Sequence, residues 1–248
     1  SVALSTTNGV AGATYSWTRV DAGVSGVLVG SGATINETLT ATGSTPGTAT
    51  YTITPAAGGC NGTPITVIVT VNPLPDVVAA PNAETICSGT TSNINLSTSN
   101  GVAGATYSWT VVQSNVSGAT SGFGTSINQT LTATTSSAGT ATYTITPSAN
   151  GCTGTPINIV VTVSPVPNVV ALPASQTICS GATTGIALST TNGVGGATYS
   201  WTRVDAGVRG VLVGSGSTIN ETLTATGSTA GTATYTITPA AGACTGTP

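Results

Sequence analysis

Residues 105–163 read ATYSWTVVQSNVSGATSGFGTSINQTLTATTSSAGTATYTITPSANGCTGTPINIVVTV. In the runs TYSWT, INQTLTAT, ATYTIT and INIVVTV, apolar residues alternate with Thr, Ser or Asn, which is the period-2 pattern of half-buried strands. Clusters of Gly, Asn, Ser and Pro lie between these runs and have the composition of turns. Upstream, TICS from Thr85 and INL from Ile94 predict two more strands. No run has apolar residues at helical spacing, so the segment is predicted to be all-β.

The chain repeats itself with a period of 92 residues. The shift aligns three NGV tripeptides, three tyrosines, three tryptophans and three cysteines: Asn8, Asn100 and Asn192; Tyr15, Tyr107 and Tyr199; Trp17, Trp109 and Trp201; Cys60, Cys152 and Cys244. The first and third copies are nearly identical, since SWTRVDAGVSGVLVGSG from Ser16 recurs as SWTRVDAGVRGVLVGSG from Ser200. The middle copy reads SWTVVQSNVSGATSGFG. The alternation indicates duplication within a longer array.

Three immunoglobulin-like sandwiches are the predicted domains. Residues 1–72 form a repeat that lacks its first strand, residues 73–165 a complete repeat, and residues 166–248 a repeat that lacks its last strand. Six or seven short strands in such a length fit an immunoglobulin-like sandwich. The segments NPLPDV from Asn72 and SPVPNV from Ser164 separate the copies. Because proline fixes φ and favours an extended preceding residue, stiff linkers and an elongated rod are expected.

Recurring aromatic residues are the predicted core. They are Trp17, Trp109 and Trp201 in one strand, and Tyr51, Tyr143 and Tyr235 in another. Exposed tryptophans that stack on a sugar are the alternative. In the run TINETLT, Glu37 would face the same side as Ile35 and Leu39, so a bulge or a strand end is expected there.

Five cysteines at repeat-matched positions, in a chain without His, indicate disulfides in an oxidising compartment. Pairing within a repeat would join Cys87 to Cys152 and Cys179 to Cys244. Pairing across the linker would instead join Cys60 to Cys87 and Cys152 to Cys179. A strand of eight residues spans about 27 Å, whereas a disulfide needs Cα atoms within about 7 Å. Repeats that run head to tail therefore favour the within-repeat pairs, and Cys60 is left without a partner in the chain.

The composition argues against several functions. Charged residues are 4% of the chain and the net charge is −3, so no basic surface is available for nucleic acid or anionic lipid. No apolar run approaches the roughly 20 residues of a membrane-spanning helix. Without His or Lys, and with few carboxylates, neither a catalytic site nor a cofactor or metal site is predicted. Asp21 and Asp205, beside Arg19 and Arg203, could contact carbohydrate or Ca²⁺, but solvated loop pairs are favoured because the middle copy has neutral residues there.

The string TICSG at Thr85 and Thr177, then ATYSWT, INETLTAT or INQTLTAT, ATYTITPSANGCTGTPI and a Pro-containing linker resembles the PKD-like repeats of giant secreted surface proteins of the Bacteroidetes group. The resemblance covers the whole chain. It implies a sandwich fold, export by the type IX secretion system, and a place in large adhesins, including those of gliding cells.

Three functions are compatible with these features. The first is a passive stalk whose only partners are neighbouring repeats of the same long chain. The second is a self-assembling filament or surface layer built from several copies. The third is binding of surface polysaccharide by the repeats, for which Phe123 is the one aromatic residue outside the repeat-matched positions. An extracellular, cell-surface location and no enzymatic activity are expected in each case.

Overall fold

The structure is a computed structural model that describes all 248 residues. It consists of β-strands joined by turns and loops and contains no helix. This agrees with the all-β fold predicted from the alternation of Thr with apolar residues.

The second repeat is the most complete sandwich. Its strands are β10 (Val78–Ala80), β11 (Ala83–Cys87), β12 (Thr90–Thr91), β13 (Ile94–Ser97), β14 (Thr106–Ser114), β15 (Val116–Ser117), β16 (Gly122–Phe123), β17 (Ser126–Ile127), β18 (Thr130–Ala133), β19 (Gly139–Ala149), β20 (Cys152–Thr153) and β21 (Ile157–Ser164). One layer is the sheet β11-β21-β19-β14-β16, with β20 paired to β19. The other layer contains β10-β13-β17 and β12-β18-β15.

The core of this repeat lies between the two layers. Alternate residues of β14, β19 and β21 face inward because successive side chains on a strand point to opposite sides. Tyr143, Ile145 and Val161 are fully buried, and they pack in one cluster with Ile94 and Leu131 of the opposite layer. The threonines between them point away from the core, where β-branched side chains suit a pleated surface.

The run INQTLTAT forms two short strands that pair with different neighbours. β17 pairs with β13, whereas β18 pairs with β12 and β15, and the chain changes partner at Asn128 and Gln129. In the first repeat the corresponding strand ends at Ile35, two residues before Glu37. Of the two expected alternatives at Glu37, a bulge or a strand end, the structure has the strand end.

The first repeat has the same plan. Its strands are β1 (Val2–Ala3), β2 (Thr14–Ala22), β3 (Val24–Ser25), β4 (Val29–Ser31), β5 (Thr34–Ile35), β6 (Thr40–Ala41), β7 (Gly47–Ala57), β8 (Cys60–Asn61) and β9 (Ile65–Val71). β2 and β7 are joined over nine residue pairs in the register of β14 and β19.

The third repeat has the strands β22 (Val170–Leu172), β23 (Ile186–Ser189), β24 (Thr198–Ala206), β25 (Val208–Arg209), β26 (Val213–Ser215), β27 (Thr218–Ile219), β28 (Thr224–Ala225), β29 (Thr232–Ala241) and β30 (Cys244–Thr245). No strand lies beside β29 in the place that β21 takes beside β19. A groove of about 680 Å³ opens there along Ile178, Ile186 and Tyr235. Tyr235 is accordingly half-buried, whereas its equivalent Tyr143 is fully buried.

Candidate functional site

A cluster of charged and aromatic side chains lies in the first repeat, at the edge of its core. Trp17, Arg19 and Asp21 are alternate residues of β2 and therefore share a face. The Arg19 guanidinium contacts Asp21 (Nε to Oδ1, 2.7 Å) and Glu37 (Nη1 to Oε2, 2.5 Å). Glu37 also accepts hydrogen bonds from Trp17 Nε1 at 3.1 Å and from the Tyr51 hydroxyl at 2.8 Å.

The prediction of a solvated loop pair for Arg19 and Asp21 was wrong. Arg19 is 5% exposed and lies on a long strand. An arginine is buried at a tolerable cost when its donors are matched by carboxylates, and Glu37 comes within reach because its strand ends at Ile35. The residue types and their separation in the sequence did not show that Arg19, Asp21 and Glu37 lie in contact.

The third repeat reproduces the cluster. Arg203 contacts Asp205 and Glu221 at 2.7 Å each, and Trp201 Nε1 donates to Glu221 at 3.1 Å. The Arg203 Nε contact to Asp205 is an ion pair without hydrogen-bond alignment, since neither atom has a hydrogen-bond partner. Tyr235 completes the set by donating to Glu221 at 2.8 Å.

The second repeat replaces the charges with neutral groups. Val111, Gln113 and Gln129 occupy the positions of Arg, Asp and Glu. The Tyr143 hydroxyl donates to Gln129 Oε1 at 2.7 Å, and Gln129 Nε2 donates to the Thr120 carbonyl at 2.8 Å. The sandwich therefore forms with or without the ions, which indicates a packing role for the cluster.

The pKa values of these groups also indicate a packing role. The hydrogen bond from Arg19 to Asp21 raises the pKa of Arg19, so the guanidinium stays charged. Burial raises the pKa of Tyr143 to about 12 and raises that of Tyr51 as well. The tyrosine hydroxyls therefore remain protonated hydrogen-bond donors near neutral pH.

A second assembly lies at the junction between the first and second repeats. The linker 72–76 is fixed to the NGV loop, because Asn100 Nδ2 donates to the Leu74 carbonyl at 2.9 Å. Asp76 accepts hydrogen bonds from Thr98 Oγ1 at 2.6 Å and from the backbone N–H of Ser99 at 3.0 Å, and it also accepts from the Ser99 hydroxyl. These bonds, those from the side chains first, lower the pKa of Asp76 to about 2.

The junction between the second and third repeats is built in the same way. Asn192 Nδ2 donates to the Val166 carbonyl at 2.9 Å. Asn168 stands where the first junction has Asp76, and its Oδ1 accepts from the backbone N–H of Thr191 at 2.9 Å and of Asn192 at 3.2 Å. A neutral amide thus makes the backbone contacts that the carboxylate makes.

Glycines allow the linker to lie directly against a hairpin of the following repeat. A side chain on Gly154 would overlap the carbonyl oxygen of Pro75, and one on Gly246 would overlap that of Pro167. A side chain on the equivalent Gly62 would meet only Pro55, with Cγ at 3.0 Å. Close backbone contact is thus a property of the junction and not of the hairpin.

The valine of the NGV tripeptide is buried only where a linker is present. Val102 is 2% exposed and Val194 7%, whereas Val10 is 44% exposed. Burial of this valine stabilises the repeats that follow a linker by the hydrophobic effect.

The two junctions lie at opposite ends of the second repeat. Asn72 Nδ2 donates to the carbonyl of Asn150, which follows the last residue of β19. Gly193 of the third repeat lies beside Ser136, shortly before β19 begins. Consecutive repeats are therefore arranged end to end along β19.

A disulfide joins Cys87 to Cys244 across the second junction, with 5.5 Å between their Cα atoms. Cys87 lies beside Ser164, the last residue of β21, because β11 runs parallel to β21. Cys244 lies in the hairpin strand β30, two residues from the glycine that contacts the linker. The bond thus connects the end of one repeat to the beginning of the next.

The predicted within-repeat pairs do not form. Cys60, Cys152 and Cys179 are free thiols. Cys152 lies near the start of β21 and Cys87 beside its end, and a strand of this length separates them by more than 20 Å. The parallel pairing of β11 with β21 brings Cys87 to the junction, which the strand lengths alone did not predict.

The core aromatic residues occupy inward positions. Trp17, Trp109 and Trp201 are each buried, as are Tyr51 and Tyr143. The indole N–H of Trp109 donates to the Thr120 carbonyl, while the other two donate to glutamates. Such burial leaves no indole face free to stack on a sugar.

Comparison with family models gives a match to the PKD-like domain over residues 1–75, 84–167 and 176–248. The chain belongs to the PKD-like domain family. It consists of three tandem PKD-like repeats, and such repeats are typical of extracellular structural or adhesion-type regions. Comparison with curated proteins gives no match. No helix of the structure has the length and apolar character needed to cross a membrane.

Proposed function

We propose that the chain is a structural array, a stalk, of a large extracellular bacterial surface adhesin that is exported by type IX secretion and serves adhesion or gliding motility. It acts without enzymatic activity and takes neighbouring repeats as its partners. The assignment to adhesins, to this export route and to gliding rests on the resemblance of the repeat motifs. The stalk role rests on the junctions.

The observation that carries the stalk role is the repeat-matched construction of both junctions. A flexible linker would leave the linker carbonyls in water, whereas here Asn100 and Asn192 bind them at the same distance. Buried valines and glycine contacts recur at both places. Repeats fixed in one relative orientation project a distal domain at a defined distance, which is what a stalk requires.

Electron microscopy of chains with added copies of residues 73–164 tests this proposal. Each repeat should add about 40 Å, since β19 has 11 residues and a strand rises about 3.4 Å per residue. Thin single rods whose length grows by that amount would support a stalk. Collapsed or randomly bent chains would contradict it.

A self-assembling filament or surface layer is the second candidate. Val27, Leu28 and Val29 are more than half exposed beside the outer strand β4, and Val211, Leu212 and Val213 repeat this surface in the third copy. Apolar residues on an unpaired edge favour lateral association. Bundles wider than one domain in the same micrographs, lost on substitution of Leu28 and Leu212 by Ser, would favour the filament over the stalk.

Binding of polysaccharide by the repeats has weaker support. Phe123 is 88% exposed at the edge strand β16, but both other repeats have Ser at this position. A single exposed aromatic side chain offers one stacking surface in the whole chain.

A further inference from the structure

The junction disulfide explains why the cysteines recur at two fixed positions of the repeat. All five cysteines occupy only two positions of the repeat: Cys87 and Cys179 lie at the first position, and Cys60, Cys152 and Cys244 lie at the second position. The structure joins one of each kind across a junction, over a sequence separation of 157 residues. For the free cysteines Cys60, Cys152 and Cys179, no partner cysteine at this same sequence separation is present in the chain.

We infer that Cys60, Cys152 and Cys179 are half-sites, each being one of the two cysteines of an equivalent disulfide. Every junction of an array with this period then carries one disulfide. Cys179 takes the second-position cysteine of the repeat that follows it. Cys60 and Cys152 take first-position cysteines of earlier repeats. This inference deepens the proposed stalk and rests on it.

Successive bonds of this kind interlock. Cys152 and Cys179 both lie between Cys87 and Cys244 in the sequence, so the loop closed by one bond contains a half-site of the preceding bond and a half-site of the following bond. A tensile load that enters at Cys87 passes through sulfur to Cys244 without stretching the residues between them. Between successive bonds the load crosses only the short segment from a second-position cysteine to the next first-position cysteine, such as residues 152–179 with β21, so most of each sandwich is removed from the covalent load path and a pulled array extends little while it remains oxidised.

The chemistry needs an oxidising partner. Each bond forms when two thiols lose two electrons and two protons to a disulfide oxidant of the extracytoplasmic space, which is reduced to two thiols. The two Cys side chains become one S–S bond, and no other atom of the protein changes.

Single-molecule stretching of the 248-residue chain from its two ends measures the load path. Fully extended backbone spans about 3.3–3.6 Å per residue, so the oxidised chain should reach a contour length about 550 Å shorter than the reduced chain. The Cys87→Ser variant should extend like the reduced chain even without reductant. Equal lengths for oxidised and reduced protein would overturn the inference.

The Cys152→Ser variant is the matched control, because it removes a repeat-equivalent thiol that the structure leaves free. It should leave the shortened contour of the oxidised chain unchanged. If it lengthened the chain, Cys152 would carry a within-repeat bond and the junction bond would be refuted.

Peptide mapping tests the half-sites. After digestion under acidic conditions that prevent exchange, the native chain should give one cross-linked pair, Cys87 with Cys244. A chain lengthened by one copy of residues 73–164, inserted after Ser164, should give two pairs with the same separation. A single pair, or pairs within one repeat, would overturn the inference. Rods that grow normally in micrographs but lack the second bond would leave the stalk intact and refute only the cross-link.

Discussion

Removal of Arg19 alone should destabilise the first repeat strongly, whereas removal of the whole ion cluster should not. Arg19→Val leaves Glu37 with a side chain 11% exposed and no countercharge, although Trp17 and Tyr51 still donate to it. Breaking one partner of a buried ion pair costs about 3–5 kcal/mol, because the remaining charge stays desolvated. The Arg19→Val variant is therefore expected to lose about that much free energy of unfolding in the first repeat.

The triple variant Arg19→Val, Asp21→Gln, Glu37→Gln gives the first repeat the residues of the second. Its Gln at position 37 can accept from Tyr51 as Gln129 accepts from Tyr143. Replacing a buried ion pair by well-packed hydrophobic residues is often neutral or stabilising, and the second repeat folds with Val111, Gln113 and Gln129 at these positions. The triple variant should thus lie within about 1 kcal/mol of the parent, despite carrying the substitution that is damaging by itself.

Equilibrium denaturation followed by Trp17 fluorescence measures both variants. Replacement of Trp109 and Trp201 by Phe makes Trp17 the single indole reporter, and this background serves as the parent. Val20→Ala, at an exposed position of the same strand, is the control for a neutral change in β2. If the triple variant were as unstable as Arg19→Val, the ions would be essential and the comparison with the second repeat would be misleading.

Two further predictions concern the junctions. The pKa of Asp76 is lowered to about 2, below the roughly 3.9 of an unfolded Asp, so its stabilisation is present above pH 4 and is lost as the pH falls towards 2. Asp76→Asn, which copies Asn168 of the second junction, should remove this dependence on pH. Hydrogen exchange at the junction, measured as the pH is lowered, would show the loss. An unchanged acid transition would contradict the assignment. Gly154→Ala should loosen the first junction because its methyl group overlaps the Pro75 carbonyl, whereas Gly62→Ala should not. Hydrogen exchange of the Ser99 and Asn100 N–H groups, which donate to Asp76 of the linker, measures the difference, and equal protection in both variants would be evidence against the contact.

The sequence was sufficient for the parts of the fold that depend on local pattern. Alternation of Thr with apolar residues predicted each long strand, and the position of Glu37 between two apolar residues predicted a bulge or a strand end. What it did not predict depends on how distant strands pair. The parallel contact of β11 with β21 moves Cys87 to the junction, and the end of β5 turns Glu37 towards Arg19.

The junction was visible in the sequence only as recurrence. Asn100 and Gly154 repeat at the same spacing as the core tryptophans, but a repeat-matched Asn or Gly also fits an ordinary turn. The difference between Gly62 and Gly154 arises from the linker that lies against only one of them. Such contacts follow from the arrangement of whole domains, which no local pattern encodes.

Small-angle X-ray scattering of the 248-residue chain tests the fixed junctions most directly. Three sandwiches held end to end predict a rod-like curve with a maximum dimension of about 120 Å, taking about 40 Å for each repeat, and a cross-section of one domain. The curve should stay the same over a range of protein concentrations. A broad distribution of dimensions, as expected for domains that turn freely on their linkers, would contradict a rigid stalk.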